Sequence, residues 1–242
     1  LGGALITTQA HRSHALTHTH HPRKIALFGG SFDPVHSGHM AVARAADRRF
    51  HFDELHFIPS GRPPHKQRYE LAPYAHRFAM TGLACADHPH FIPSLAEAGS
   101  DLSGRQVFYS IDTVRHFRHI YNHRGDKLFF ILGADSFLEI ATWREYEALL
   151  NTCDFIVASR PGFRTDALRL VIPPELLARP KEGEPLDSHA IHLRRSTVHL
   201  LDTVSSHVSA TEVRKRLDRG QSVHGLVPLR VEEYISKQAL YR

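Results

Sequence analysis

The chain has 242 residues, 42% of them hydrophobic and 23% charged, with a formal net charge of +5, 21 histidines and two cysteines. That balance excludes a disordered chain and suits one large α/β domain or two small ones. No apolar run approaches the ~20 residues of a membrane helix, so no membrane partner is expected. Cys85 and Cys153 are far apart in no C-x-x-C arrangement, which argues against a disulfide framework or zinc site and fits buried thiols in a reducing cytoplasm. The positive excess is scattered, with no Lys/Arg block interleaved with aromatics. Small polyanionic substrates are therefore favoured over nucleic acid.

Residues 1–23 contain no Asp or Glu and carry His11, His14, His18, His20 and His21. They read as a flexible His-rich extension whose irregular spacing does not build a metal site. Ile25, Ala26, Leu27 and Phe28 then form a short apolar block that predicts a buried strand, ended by Gly29-Gly30. Glycines and a small hydroxyl residue at a strand's end let a ligand approach the backbone. Ser37 is the expected N-cap of a helix through Arg49. Strand, Gly-rich turn and helix N-terminus together make an anion site, because unpaired N–H groups and the helix dipole face the ligand. Into that site the sequence places His36 and His39.

Leu55 to Ile58 predicts a second strand, stopped by Pro59-Ser60-Gly61. The stiff loop Arg62-Pro63-Pro64-His65-Lys66 follows, its prolines lowering the entropy of holding Lys66 against an anion. Tyr74 to Ala86 predicts an amphipathic helix with Phe78, Leu83 and Ala84 on its apolar side, and Phe91-Ile92 a third strand. Glu97 to Gln106 is a polar Gly/Ser loop. Ser110 is the expected N-cap of the next helix, with Asp112 and Thr113 in its first turn, where a second anion could dock. Leu128 to Leu132 is the clearest buried strand, an unbroken apolar run as in parallel sheets. It runs into Gly133-Ala134-Asp135-Ser136, a small-residue turn with an exposed carboxylate, before Trp143, Arg144 and a helical stretch from Glu145 to Leu150. Asp154 to Ala158 predicts another strand.

Residues 163–200 are interrupted by prolines and read best as a surface excursion, although Ile191-His192-Leu193 and Val198-His199-Leu200 could be strands. Ser209-x-x-Glu212 is a capping box that starts a helix running to Gly220. A last helix spans Pro228 to Leu240. Strands alternating with helices predict a doubly wound parallel sheet in a single domain over 24–242, with ligands at the strands' carboxyl ends.

The string Gly29 to His39, centred on His36-Ser37-Gly38-His39, closely resembles the signature of the His-x-Gly-His nucleotidyltransferase superfamily. Pro63 to Lys66, Tyr109 to Thr113, Gly133 to Ser136 with Trp143, Ser209 to Arg214 and the closing Leu240-Tyr241-Arg242 resemble, more narrowly, the bacterial nicotinate-nucleotide adenylyltransferases. The resemblance covers about Lys24 to Arg242, apart from the 163–200 excursion. Ser110 stands where that family often has threonine, which keeps the hydroxyl.

The resemblance implies a Rossmann-like nucleotidyltransferase fold and adenylyl transfer from ATP to nicotinate mononucleotide, giving deamido-NAD and pyrophosphate in NAD biosynthesis. It implies that His36, His39 and Arg214 stabilise charge, while Phe28, Gly29, Gly30, Ser31 and Phe32 line the nucleotide. Ser209 and Thr211 would hold ATP phosphates, and Gly133 and Asp135 the adenosine. Trp143 and Arg144, with Lys66, Ser110 and Asp112, would complete the acceptor pocket. Mg²⁺ would bridge phosphates and waters rather than sit in a protein cage, so no protein metal site is expected. A cytoplasmic location follows, and a homo-oligomer is left open. The alternatives are a phosphopantetheine adenylyltransferase, an enzyme preferring the nicotinamide nucleotide, and a nucleotide- or RNA-binding module without turnover.

Overall fold

The structure, a computed structural model, describes residues 21–61, 71–100, 102–104, 106–159, 163–179, 187–202 and 208–242. Its strands are β1 (Lys24–Gly30), β2 (Glu54–Pro59), β3 (Phe91–Pro93), β4 (Lys127–Gly133), β5 (Asp154–Ala158), β6 (Ala190–His192) and β7 (Thr197–Leu201). Its helices are α1 (Ser37–Phe50), α2 (Tyr74–Cys85), α3 (Ser110–Ile120), α4 (Ala134–Leu138), α5 (Tyr146–Leu150), α6 (Thr165–Arg169), α7 (Ala210–Asp218) and α8 (Leu229–Lys237). No helix among the described residues is long and apolar enough to cross a membrane.

The strands form one sheet in the order β3-β2-β1-β4-β5-β7-β6, parallel throughout except for the antiparallel pair β6–β7. Strand order reverses direction between β1 and β4, which is where a doubly wound sheet opens a crevice. The registers show how. β1 pairs with β2 out to Gly30↔Pro59, but with β4 only as far as Phe28↔Ile131. Beyond that point the chains leaving β1 and β4 diverge.

Both faces of β1 are apolar because both are covered, as the unbroken run required. Ala26 and Phe28, with Phe129 and Ile131 of β4, face a core layer completed by Met40 and Ala43 of α1, Met80 of α2, Val213 of α7 and Val231 of α8. Ile25 and Leu27, with Phe130 and Leu132 of β4, face the other layer, built from Ile111 and Val114 of α3, Phe137 of α4 and Leu149 of α5. Cys85 and Cys153 are buried free thiols, one in each layer.

Four expectations are corrected. The region 163–200 is not a surface excursion: β7 pairs with β5 in parallel register from Phe155↔Val198 to Ala158↔Leu201. The polar-looking His199 behaves there as an aromatic, its ring 5.0 Å from that of Phe50, and burial lowers its pKa. The buried face of α2 is rotated from the expected one and consists of Tyr74, Arg77, Met80, Thr81, Ala84 and Cys85. Gly133-Ala134-Asp135-Ser136 is less a turn than a direct passage from β4 into α4. Arg23, the last residue of the expected extension, is tied to the sheet: its N–H donates to Asp126 Oδ1 at 2.9 Å and its guanidinium pairs with Glu54. Residues 1–20 lie outside the described residues.

Candidate active site

Leaving β1, the chain passes Gly30 and Ser31 and reverses at Phe32, whose φ of 45° lies in the left-handed region while its side chain is fully buried. Phe32, Phe28 and Phe57 form an aromatic floor, with Phe28 and Phe32 edge-to-face at 5.6 Å. The His39 ring stands on it, 5.0 Å from Phe32 and 6.0 Å from Phe28. His36, not Ser37, is the N-cap of α1: its backbone is extended, and Ser37 is already helical, its N–H donating to Leu226 O at 2.8 Å. The His36 N–H donates to Nδ1 of His39 at 3.1 Å, and the two rings stack at 3.6 Å.

His36 is 8% exposed, and burial lowers its pKa to about 4, so the ring is neutral near pH 7. Its buried Nδ1 has no hydrogen-bond partner in the structure.

A cleft of about 720 Å³ opens in front of this pair, a size suited to a small-molecule ligand. Its walls are Phe28 to Ser31, His36, Gly38, His39 and Val42 on one side and Leu132 to Ser136 on the other, with Ala158, Ser159, Phe163 and Val208 completing it. Gly133 and Asp135 are exposed there, and a Cβ added at Gly133 would meet nothing within 4 Å. At Gly30 the same atom would press on Phe32 Cε1 at 3.1 Å.

Arg214 reaches the β1 loop from α7. Its Nη1 donates to the Asp33 carbonyl at 2.5 Å and lies 3.6 Å from Asp33 Oδ2, while Nη2 donates to Thr211 Oγ1 at 3.3 Å. Ser209 is the N-cap of α7, accepting the Glu212 N–H at 3.2 Å, as the capping-box spacing predicts. Ser209, Thr211 and Arg214 stand beside the cleft rather than among its lining residues.

The remaining predicted residues gather on the other face of the sheet. Tyr109, not Ser110, is the N-cap of α3; its carbonyl accepts the N–H groups of Asp112 and Thr113, and Ser110 is the first helical residue. The Arg144 guanidinium lies 4.7 Å above the Tyr109 ring, with Nη1 4.0 Å from Asp112. Trp143 is half-buried, edge-to-face with Phe130 at 6.4 Å. Phe130 is also the nearest side chain to Gly29, 3.5 Å from a Cβ built there. Ser110, Asp112, Trp143 and Arg144 therefore form a second group, separate from the residues that line the His36–His39 cleft. Lys66 lies outside the described residues.

Sequence reasoning missed Arg77. It is 3% exposed and donates to the carbonyls of Ser31 at 2.9 Å, Ser60 at 2.7 Å and Ala72 at 3.0 Å, joining the loops after β1 and β2 to the start of α2. The signal was its helical spacing with Tyr74, Met80 and Ala84, which puts a cation on an otherwise buried stripe. Asp33 and Glu97 were missed as well. Glu97 accepts from Thr113 Oγ1 at 2.8 Å and from the Gly61 N–H at 3.3 Å, bracing α3 against the β2 turn. Burial raises its pKa against those hydrogen bonds.

The family described as cytidylyltransferase-like matches residues 27–216. A Moorella thermoacetica protein named "probable nicotinate-nucleotide adenylyltransferase" is 39% identical over 91% of this chain and 93% of its own length. A Citrifermentans bemidjiense protein of the same name is 37% identical over 90% and 98%. Among solved structures, a Plasmodium falciparum nicotinic acid mononucleotide adenylyltransferase complexed with NaAD shares the fold at TM-score 0.66 and 18% identity, covering 90% of this chain and 97% of that one. A second structure of that name, complexed with APC, superposes at TM-score 0.64 with the same identity and coverage. The chain spans nearly the whole of its curated relatives at well over a third identity to the first of them, and it belongs to the nicotinate-nucleotide adenylyltransferase family of cytidylyltransferase-like proteins.

Proposed function

We propose that this chain transfers the adenylyl group of ATP to nicotinate mononucleotide, giving deamido-NAD and pyrophosphate. The observation that carries the reading is the stacked His36–His39 pair at the β1–β4 crevice, with Arg214 tied to the same loop. The mononucleotide's phosphate oxygen attacks the α-phosphorus, the bond from that phosphorus to the bridging oxygen breaks, and pyrophosphate leaves. The nucleophile is already an anion, so no general base is required. Catalysis reduces to alignment and to stabilising charge on the transferring and leaving groups.

In this reading His39 and His36 face the transferring phosphoryl, and Arg214 supplies fixed positive charge beside the loop. Ser31 and the α1 N-terminus hold the phosphates. Gly133 and Asp135 contact the adenosine, while Trp143, Arg144, Ser110 and Asp112 receive the pyridine half. No cluster of three or more His, Cys, Asp or Glu suited to a metal occurs among the described residues. The exposed Asp135 carboxylate and the hydroxyls of Ser31 and Ser136 are hard oxygen donors of the type Mg²⁺ accepts alongside phosphates and waters. When bound, the ion would neutralise phosphate charge. The buried free thiols fit a cytoplasmic setting.

The test is pyrophosphate release with ATP and a panel of acceptors. Turnover with nicotinate mononucleotide, at least ten-fold above nicotinamide mononucleotide in kcat/KM, is expected; a buried amide N–H₂ facing backbone donors costs about 1–3 kcal/mol. Turnover with phosphopantetheine alone, or with no acceptor, would remove the assignment.

A further inference from the structure

We infer that Tyr241 is a positioning residue for adenylyl transfer: through Asp33 it holds the Arg214 guanidinium against the loop that carries His36. The inference rests on the proposed activity and adds a residue that lies far from the cleft in sequence. After α8 the chain reverses, with the Leu240 N–H donating to Ile235 O at 3.1 Å. Ala239 and Tyr241 then take φ values of 50° and 61°, in the region that side-chain-bearing residues avoid. That reversal turns Tyr241 inward, and its hydroxyl donates to Asp33 Oδ1 at 2.7 Å.

Asp33 is 1% exposed. A carboxylate buried so deeply keeps one orientation only while donors surround it. Oδ1 has two, the Tyr241 hydroxyl and the Ala72 N–H at 3.2 Å. Oδ2 has no hydrogen bond and lies 3.6 Å from Arg214 Nη1, which instead donates to the Asp33 main-chain carbonyl. Arg77, the other cation nearby, spends its donors on the carbonyls of Ser31, Ser60 and Ala72. Oδ1 held by Tyr241 therefore fixes the carboxylate plane, and with it the side of Asp33 on which Arg214 rests. Burial and the Asp33 charge push the Tyr241 phenol above its usual value, so it remains a donor at any working pH. Phe32, the residue before Asp33, also has positive φ. Both segments that meet at this hydrogen bond thus carry strained backbone beside it.

Tyr241→Phe deletes the donor and keeps the ring. In pyrophosphate-release kinetics its kcat should fall roughly 10- to 10²-fold, the scale of a misplaced catalytic group. KM for both substrates should stay within two-fold and the melting temperature within a few degrees. Asp33→Asn should shift kcat in the same direction. In an Arg214→Lys background, Tyr241→Phe should change kcat less than two-fold, because the group it positions is already altered. An unchanged kcat, or the same factor in both backgrounds, would overturn the inference. The ¹⁵N-guanidinium resonance of Arg214, assigned by its loss in Arg214→Lys, gives a readout that needs no turnover. It should broaden or shift in Tyr241→Phe, and an unmoved resonance would also overturn the inference. A parent protein that turns over no acceptor would remove the proposed activity, while the resonance would still decide whether Tyr241 holds Arg214.

Discussion

The rings of His36 and His39 lie 3.6 Å apart and 28° from parallel, and the main-chain N–H of the first donates to Nδ1 of the second. That bond assigns the ring proton of His39 to Nε2, since Nδ1 is occupied as an acceptor. The spacing of two residues between the histidines is thus a geometric requirement: it lets the N-cap residue donate to the side chain three positions on.

His39→Ala should lower kcat by roughly 10²–10³ and leave ATP binding within a few-fold, as expected for a donor that acts on transition-state charge. Single-turnover kinetics alongside ATP titration separate the two effects. A kcat within a few-fold of the parent would contradict the assignment.

Stability should decline on mild acidification. His36, His56 and His199 all have pKa values lowered by burial, that of His36 to about 4. The unfolded chain therefore takes up protons near 6.5 before the native state does. The stabilisation is present above that value and is lost as pH falls towards 4. Integrated over the whole window, His36 alone accounts for on the order of 3 kcal/mol of the stability lost. Melting temperatures measured from pH 8 to 4.5 should fall mainly below pH 6.5, and His36→Gln should flatten the curve.

Gly133→Ala should separate folding from binding. Gly133 has φ −75° and ψ 155°, which alanine adopts freely, and the added methyl would meet no protein atom. The melting temperature should hold or rise slightly. Gly133 lines the cleft, so with the ligand bound as proposed KM for ATP should increase several-fold. A variant with unchanged kinetics would show that the ligand passes elsewhere.

Trp143→Ala should raise KM for the mononucleotide about ten-fold and leave KM for ATP nearly alone, since ring stacking is worth about 1–3 kcal/mol. Its contact with Phe130 is a single edge-to-face pair, so a modest loss of melting temperature is expected too. If both KM values per folded molecule stay unchanged, Trp143 is only a packing residue.

The parallel, doubly wound character of the sheet and the cleft at its carboxyl ends were legible because β1, β4 and β5 are uninterrupted apolar runs, each closed by a turn, whereas the strand order was not. The loop from Gly29 to His39 at the mouth of the cleft was legible because its glycines, histidines and helix start are contiguous. β7 was seen only as a possible strand at Val198-His199-Leu200, because sequence reading counts His199 as polar while the fold uses it as an aromatic. The N-caps at His36 and Tyr109 were misplaced by one residue, because Ser37 and Ser110 are better cappers on propensity alone while the extended backbone at the preceding residue decided. Asp33, Arg77 and Tyr241 were invisible as a set. Their contacts join loops up to 208 positions apart, and no local pattern encodes them.

The two core layers have a consequence for how such a protein can change. The histidines that would handle phosphate stand at the start of α1 on one face of the sheet, while Tyr109, Trp143 and Arg144 sit over the other, where Phe130 comes within 3.5 Å of a Cβ built at Gly29. If the group around Trp143 receives the acceptor as proposed, mutations that reshape α3 or that segment would act on choice of acceptor without passing through the packing that holds His36 and His39. A chain built this way can drift towards a different phosphorylated acceptor in small steps, each keeping its chemistry intact.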